Sequence, residues 1–319
     1  MRLDLSIELS AVVVTIKDNE AMILCLSGAL DLSNPDAQIP ALPSGPFIPS
    51  AHRTFDLAVR AFVTEQTGFD VGYVEQLYSF GDEGRQASGS GPENAQRVVS
   101  LGYLALTADS DFQSALKAQW RPYSAFFPWE DWRQGEPRSL KDDLRPALND
   151  WCAQGPSAVI RDLRKGRIDT LFPDDFDHWN EERVLDRYEL LYSAGLVAEA
   201  WRKTPETPAV NHGLNMASDH RRILATGLSR LRGKVKYRPV IFELMPERFT
   251  LLELQKSLEA IAGLKLHKQN FRRALDRTGF TAPTGLYRED TGGRPAELYV
   301  YNRELFRFSP SLGLSLPRA

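Results

Sequence analysis

The sequence predicts an α+β protein with two modules joined by a helical middle. Three observations predict it. Near the N-terminus, short β-rich runs flank one amphipathic helix. At the C-terminus a helix–turn–helix–hairpin pattern closes the chain. Between them lies a mainly helical stretch that holds all six tryptophans. A length of 319 residues allows two domains. Hydrophobic content of 42% and charged content of 25% are those of an ordinary soluble globular protein.

Taken in order, Ile7–Ile16 and Ala21–Leu26 are apolar runs joined by Lys17-Asp18-Asn19-Glu20, a hairpin pattern. The residues before them lack a basic start and a cleavage site, so the N-terminus reads as strand, not signal peptide. Asp31–Pro49, rich in Pro, Ser and Gly, is expected to be loop. Phe55, Ala58, Val59, Phe62 and Val63 then recur at helical spacing, and Gly68 is placed to stop the helix. Tyr73–Phe80 reads as a strand, Gly81–Asn94 as a polar loop and Val98–Leu106 as a buried strand. These elements define a first domain over 1–110. The region 111–218 is a helical middle ending in a linker, Lys203–Ser218.

The third region, 219–319, opens with a basic helix, HRRILATGLSRLRGK. A second helix starts at a capping box, Thr250 with Glu253, and stops at Gly263. A four-residue turn leads to KQNFRRALDRTGF, a third helix ending at Gly279. Two strands follow, near Leu286 and at Glu297–Tyr301. This is the order of a winged helix-turn-helix.

Charge divides the chain at the same place. Residues 219–319 hold 19 Lys+Arg against 10 Asp+Glu, a balance of +9, whereas 1–218 hold 20 against 32, a balance of −12. A basic module on an acidic body calls for a polyanion partner. In the third helix Phe271, Ala274 and Leu275 form the packed face. Gln269, Arg272 and Arg273 point the other way, flanked by Asn270 and Arg277. Arg reads guanine edges, and Asn and Gln read adenine. Lys268 and the wing residues Arg288 and Arg294 are placed to grip phosphates. The upstream helix adds Arg221, Arg222, Arg230 and Arg232. The partner this predicts is double-stranded DNA; a winged helix used for protein contacts stays open beside it. No stretch of about 18 apolar residues is present, so no membrane span is expected. The two cysteines, Cys25 and Cys152, lack metal-binding spacing, and their scarcity fits the cytoplasm.

Thr54–Phe69 reads TFDLAVRAFVTEQTGF. Aligned on Gly68–Phe69, it falls on the Nudix signature, whose glutamates hold Mg²⁺ on phosphates. Glu65 and Gln66 fall on the EE pair, Val63 on the apolar position, Phe62 on the preceding Glu and Ala61 on the Arg. Three of four charged positions are thus lost. Arg53 stands where an upstream Glu belongs. The segments YVEQLYSFGD (73–82), RVVSLGYLAL (97–106), RPVIFELMPERFTLLELQ (238–255) and NFRRAL (270–275) carry the rest of the resemblance. The chain resembles the Nudix-related regulators of NAD metabolism, in which a Nudix-like domain is fused to a winged helix. The helical middle is similar to the longer, alphaproteobacterial branch, which represses genes of de novo NAD synthesis.

The resemblance implies a Nudix-like α/β/α sandwich over 1–110 that senses a ligand, a helical extension over 111–218 and a DNA-binding winged helix over 219–319. It implies a homodimer on a pseudo-palindromic operator. The effector is expected to be NAD, ADP-ribose or ATP, with no cofactor and no metal required. Arg53, Arg60, Arg85, Arg97 and Glu65 are the expected ligand-binding residues, since arginine holds phosphates without a metal. No catalytic residue is expected. A Nudix hydrolase acting on ADP-ribose or a related nucleoside diphosphate derivative is the competing reading.

Overall fold

A computed structural model describes residues 5–31, 34–81, 97–108, 118–202, 212–289 and 295–304. Strand β1 (Leu5–Lys17) turns into β2 (Glu20–Asp31) through Asp18 and Asn19, at φ 52° and 60°. Two successive positive φ values are those of a type I′ hairpin, which Asp and Asn tolerate. Strands β3 (Asn34–Ala41) and β4 (Ser44–Pro46) occupy the stretch expected to be loop. Prolines hid them. β3 lies at the sheet edge, where a missing N–H costs no ladder bond. Helix α1 (Phe55–Thr67) follows, then β5 (Tyr73–Phe80), β6 (Arg97–Leu106) and β7 (Ala118–Pro122).

The sheet runs β3-β2-β1-β6-β5, with β4 on β1 and β7 on β2. β1 pairs parallel with β6 along its length. The unbroken apolar run Ala11–Val14 is explained by burial on both faces. Leu9, Ala11 and Val13 join Ala58, Val59, Phe62 and Val63 of α1 on one side. Val12 and Val14 join the large core on the other.

The middle region contains α2 (Tyr123–Phe126), a π-helical stretch Ser139–Leu144 running into α3 (Arg145–Ala153), α4 (Ala158–Leu171) and α5 (Val184–Ser193). Trp129, Trp132 and Trp179 are buried in the large core, and the Trp132 and Trp179 rings lie 4.7 Å apart. These tryptophans are packing residues.

Helix α6 (His220–Tyr237) was expected to open the C-terminal module; it packs against β1, β6 and β5 instead. Ile223, Leu224, Leu228, Leu231 and Val235 lie in the same core as Val12 and Val14. A Cβ on Gly227 would sit 3.0 Å from Val12, so glycine lets the helix approach the sheet closely. α1, sheet and α6 form the α/β/α sandwich.

The C-terminal module comprises a 3₁₀ turn Val240–Leu244, β8 (Phe249–Thr250), α7 (Leu251–Ala262), α8 (Lys268–Thr278), β9 (Thr281–Arg288) and β10 (Ala296–Tyr301). The capping box closes as its sequence predicts: Glu253 N–H donates to Thr250 Oγ1, and the Glu253 carboxylate accepts from Thr250 N–H at 2.7 Å. Gly263 and Gly279 end α7 and α8 in left-handed conformation. The three short strands pair in the order β8-β10-β9.

A buried ionic knot ties the module to the body. Arg187 of α5 donates twice to the Glu130 carboxylate, at 2.6 and 2.8 Å. Arg232 of α6 donates to the same carboxylate at 2.7 Å and to the Ile261 carbonyl of α7 at 2.8 Å. Beside it, Trp132 N–H donates to the Gly263 carbonyl at 2.7 Å. Arg221 likewise lies buried against Glu199, at 3.1 Å. Arg221 and Arg232, expected to join a basic surface, are therefore core residues. Their charges offset buried glutamates.

Candidate functional site

Helix α8 is built to present one face. Phe271, Leu275 and Thr278 are buried at helical spacing. Lys268, Gln269, Asn270, Arg272, Arg273 and Arg277 are all exposed, and Asp276 is the single acid of the helix. The outward face thus combines four cations with two amides, the groups that bind phosphates and read base edges. Arg288 stands on the wing strand β9 but is half-buried and ion-paired with the Glu253 carboxylate. It braces the start of α7, and part of its charge is already offset. Arg294 lies outside the described residues.

Of the expected ligand-binding residues, Arg53, Arg60 and Glu65 have described side chains, all on or just before α1. Thr54 caps α1, its side chain accepting from Leu57 N–H, and Gly68 ends the helix at φ 77°. Arg60 is engaged with its own fold. It donates to Asp56 at 3.1 Å and to the Val71 and Gly72 carbonyls, pinning the connection into β5. Glu65 is exposed and lies about 140° around the helix from Arg60. Arg53 is exposed just before the cap. Arg97 sits on β6 with its backbone opposite Leu5, and its side chain lies outside the description. Arg85 lies outside the described residues. Gln66, in the place of a signature glutamate, exchanges two hydrogen bonds with the Ser44 backbone, at 2.7 and 3.2 Å. That side chain holds β4 on α1. Among the described residues, no cluster of three or more His, Cys, Asp or Glu is disposed to hold a metal ion.

One concave feature escaped the sequence reading. A cleft of about 740 Å³ opens between β5 and α6. Arg222, Thr226, Arg230 and Lys234 line it at four-residue intervals along α6, with Tyr78 on β5 and Arg238 beyond the helix end. The spacing was visible in the sequence. That it faces the edge strand was not.

Residues 241–301 match the family model of the NrtR DNA-binding winged helix domain. The match spans the helices and strands of the C-terminal module. It begins just after α6. Over 105 residues the chain is 36% identical to the ADPR responsive transcriptional repressor NtrR of Acinetobacter baylyi, a stretch that covers 33% of this chain and 42% of that protein. The chain therefore aligns with less than half the length of that relative. The crystal structure of Shewanella oneidensis NrtR superposes with a TM-score of 0.55 at 19% identity, over 95% of this chain and 96% of that one. NrtR complexed with a 27mer DNA gives 0.54 at 20% identity, over 97% and 98%. A MutT/nudix family protein from Enterococcus faecalis gives 0.52 at 15% identity, over 95% and 88%. The fold shared with these structures is a Nudix-like sandwich carrying a winged helix.

Proposed function

We propose that this protein is a DNA-binding transcriptional repressor that responds to ADP-ribose. One observation carries the proposal: an NrtR winged helix domain exposes Lys268, Gln269, Asn270, Arg272, Arg273 and Arg277 together on α8. Helix α8 enters the major groove, its arginines and amides reading base edges while Lys268 and the wing grip phosphates. The ADP-ribose response named for the Acinetobacter relative supports that effector over NAD or ATP. The Nudix-like sandwich senses rather than hydrolyses, with Phe62 and Gln66 in place of signature glutamates and Gln66 committed to the Ser44 backbone. The active species is a homodimer whose two α8 helices meet half-sites about 34 Å apart on a pseudo-palindromic operator. Its targets are genes of NAD synthesis, and it works in the cytoplasm without cofactor or metal.

An anisotropy titration tests the proposal. The full chain is added to labelled duplex from upstream of the NAD-synthesis genes, with and without ADP-ribose, NAD or ATP. The expected result is salt-sensitive binding to this duplex over random DNA, changed by ADP-ribose alone. Equal affinity for random DNA, or indifference to ADP-ribose, would overturn the corresponding half of the proposal.

A further inference from the structure

We infer that the cleft between β5 and α6 is the effector pocket, and that it takes a nucleoside diphosphate ester through Arg230, Arg238 and two tyrosine rings. The inference rests on the effector reading above and assigns it a place away from α1. The cleft, about 740 Å³, is within the range of small-molecule sites. Its lining carries four cations against one acid, Glu182. Two of the cations are spoken for: Arg222 pairs with Glu189 and Lys234 with Glu75. Arg230 and Arg238 are exposed and close no ion pair within the described residues. Arg230 lies within α6 and Arg238 just past its end, and two guanidinium groups lining one concave site can each take a phosphate of a diphosphate.

The walls supply the rest. Tyr78 is 66% exposed and Tyr237 55% exposed, both on the cleft. Large exposed rings beside cations offer faces for a purine base. The strand is shaped for this. A register shift between Gln76 and Ser79 breaks the alternation of β5, so that successive residues from Leu77 to Phe80 all line the cleft. On α6, Gly233 keeps the floor low. A Cβ there would lie 3.2 Å from the Glu182 carboxylate and 3.3 Å from the Tyr237 hydroxyl. Glycine inside a helix is unfavourable for the helix itself, so its place here answers to packing or to a ligand.

The helix that lines the cleft also touches the DNA-binding module through its buried face. Arg232 lies between Arg230 and Lys234 on the same helix, and it donates to the Ile261 carbonyl at the end of α7. A ligand that draws Arg230 and Arg238 together acts on the helix that holds α7 in place. Such a ligand changes DNA affinity only if it binds the two arrangements of that helix unequally.

Isothermal titration of the full chain with ADP-ribose is the test, on the wild type, on Arg230→Ala/Arg238→Ala and on Arg53→Ala, each checked for a wild-type melting curve. The double variant should lose affinity by about ten-fold or more, as expected for two charge-assisted contacts, and Arg53→Ala should not. ADP-ribose should then no longer alter DNA binding by the double variant. Unchanged affinity in the double variant overturns the inference while leaving the effector reading intact. Loss of DNA affinity with ADP-ribose binding preserved overturns it in favour of a cleft that tracks the DNA backbone. No heat of binding in the wild type removes the effector reading, and this inference with it.

Discussion

Glu130 shows how much one residue can hold. Burial pushes its carboxyl up, but Arg187 and Arg232 more than offset this, and the group sits below the ordinary glutamate value of 4.5. A carboxyl depressed in the folded state gives stability that is present above its unfolded value and is lost as pH falls through the folded one. Thermal stability should therefore lose the Glu130 contribution only below about pH 4.5, measured by melting curves across pH. Glu130→Gln leaves two buried guanidinium groups without their counter-charge. It should cost about 3–5 kcal/mol in a urea melt, because an unpaired buried ion retains its desolvation penalty. A loss under about 1 kcal/mol would show that water reaches the knot. Glu65 offers a second test at this scale. Incubated with Mg²⁺ and ADP-ribose, the protein should give no AMP, and turnover abolished by Glu65→Gln would make it a hydrolase.

At the scale of elements, α7 and α8 divide the labour. α7 is fixed by its ends. Removing the capping hydroxyl with Thr250→Ala should cost about 1 kcal/mol. Gly263→Ala should cost more, since φ is 69° and the new Cβ would meet the Glu130 carbonyl oxygen at 2.3 Å. That variant loosens α7 from the body as well as straining its cap. α8 is fixed by Phe271 and Leu275, which leaves its other face free to specify a partner. Arg272→Ala with Arg273→Ala should weaken DNA binding at every salt concentration. For each phosphate that the variant no longer neutralises, the slope of log K against log salt should become shallower by about 0.9. A slope unchanged in the double variant would remove both residues from the phosphate backbone. α1 was the most legible element, because its apolar stripe and its stop both lie within a short stretch of sequence. β3 and β4 were illegible for the opposite reason. Their prolines break the local pattern, and only pairing with β2 and β1 makes them strands.

Across the whole molecule, the central fact is that α6 belongs to the sandwich while its Arg232 reaches the winged helix. On the proposed reading, a ligand along this helix and DNA on α8 act through the same connection. ADP-ribose should raise the melting temperature of the free protein in proportion to the logarithm of its concentration, as binding to the folded state alone requires. A melting temperature indifferent to ADP-ribose at millimolar concentration would remove it as effector. The local features were legible in the order of residues alone: the α7 capping box, the amphipathic faces of α1 and α8, the degenerate phosphate signature and the charge divide. Each depends on neighbours within a few turns of chain. Which charges reach the surface depends on long-range packing. Arg221 and Arg232 look like Arg222 and Arg230 in a basic helix, yet the first two are buried and the second two line a cleft. The difference lies in partners about 22 and 102 residues away, Glu199 and Glu130, and no local pattern encodes a pairing at that separation.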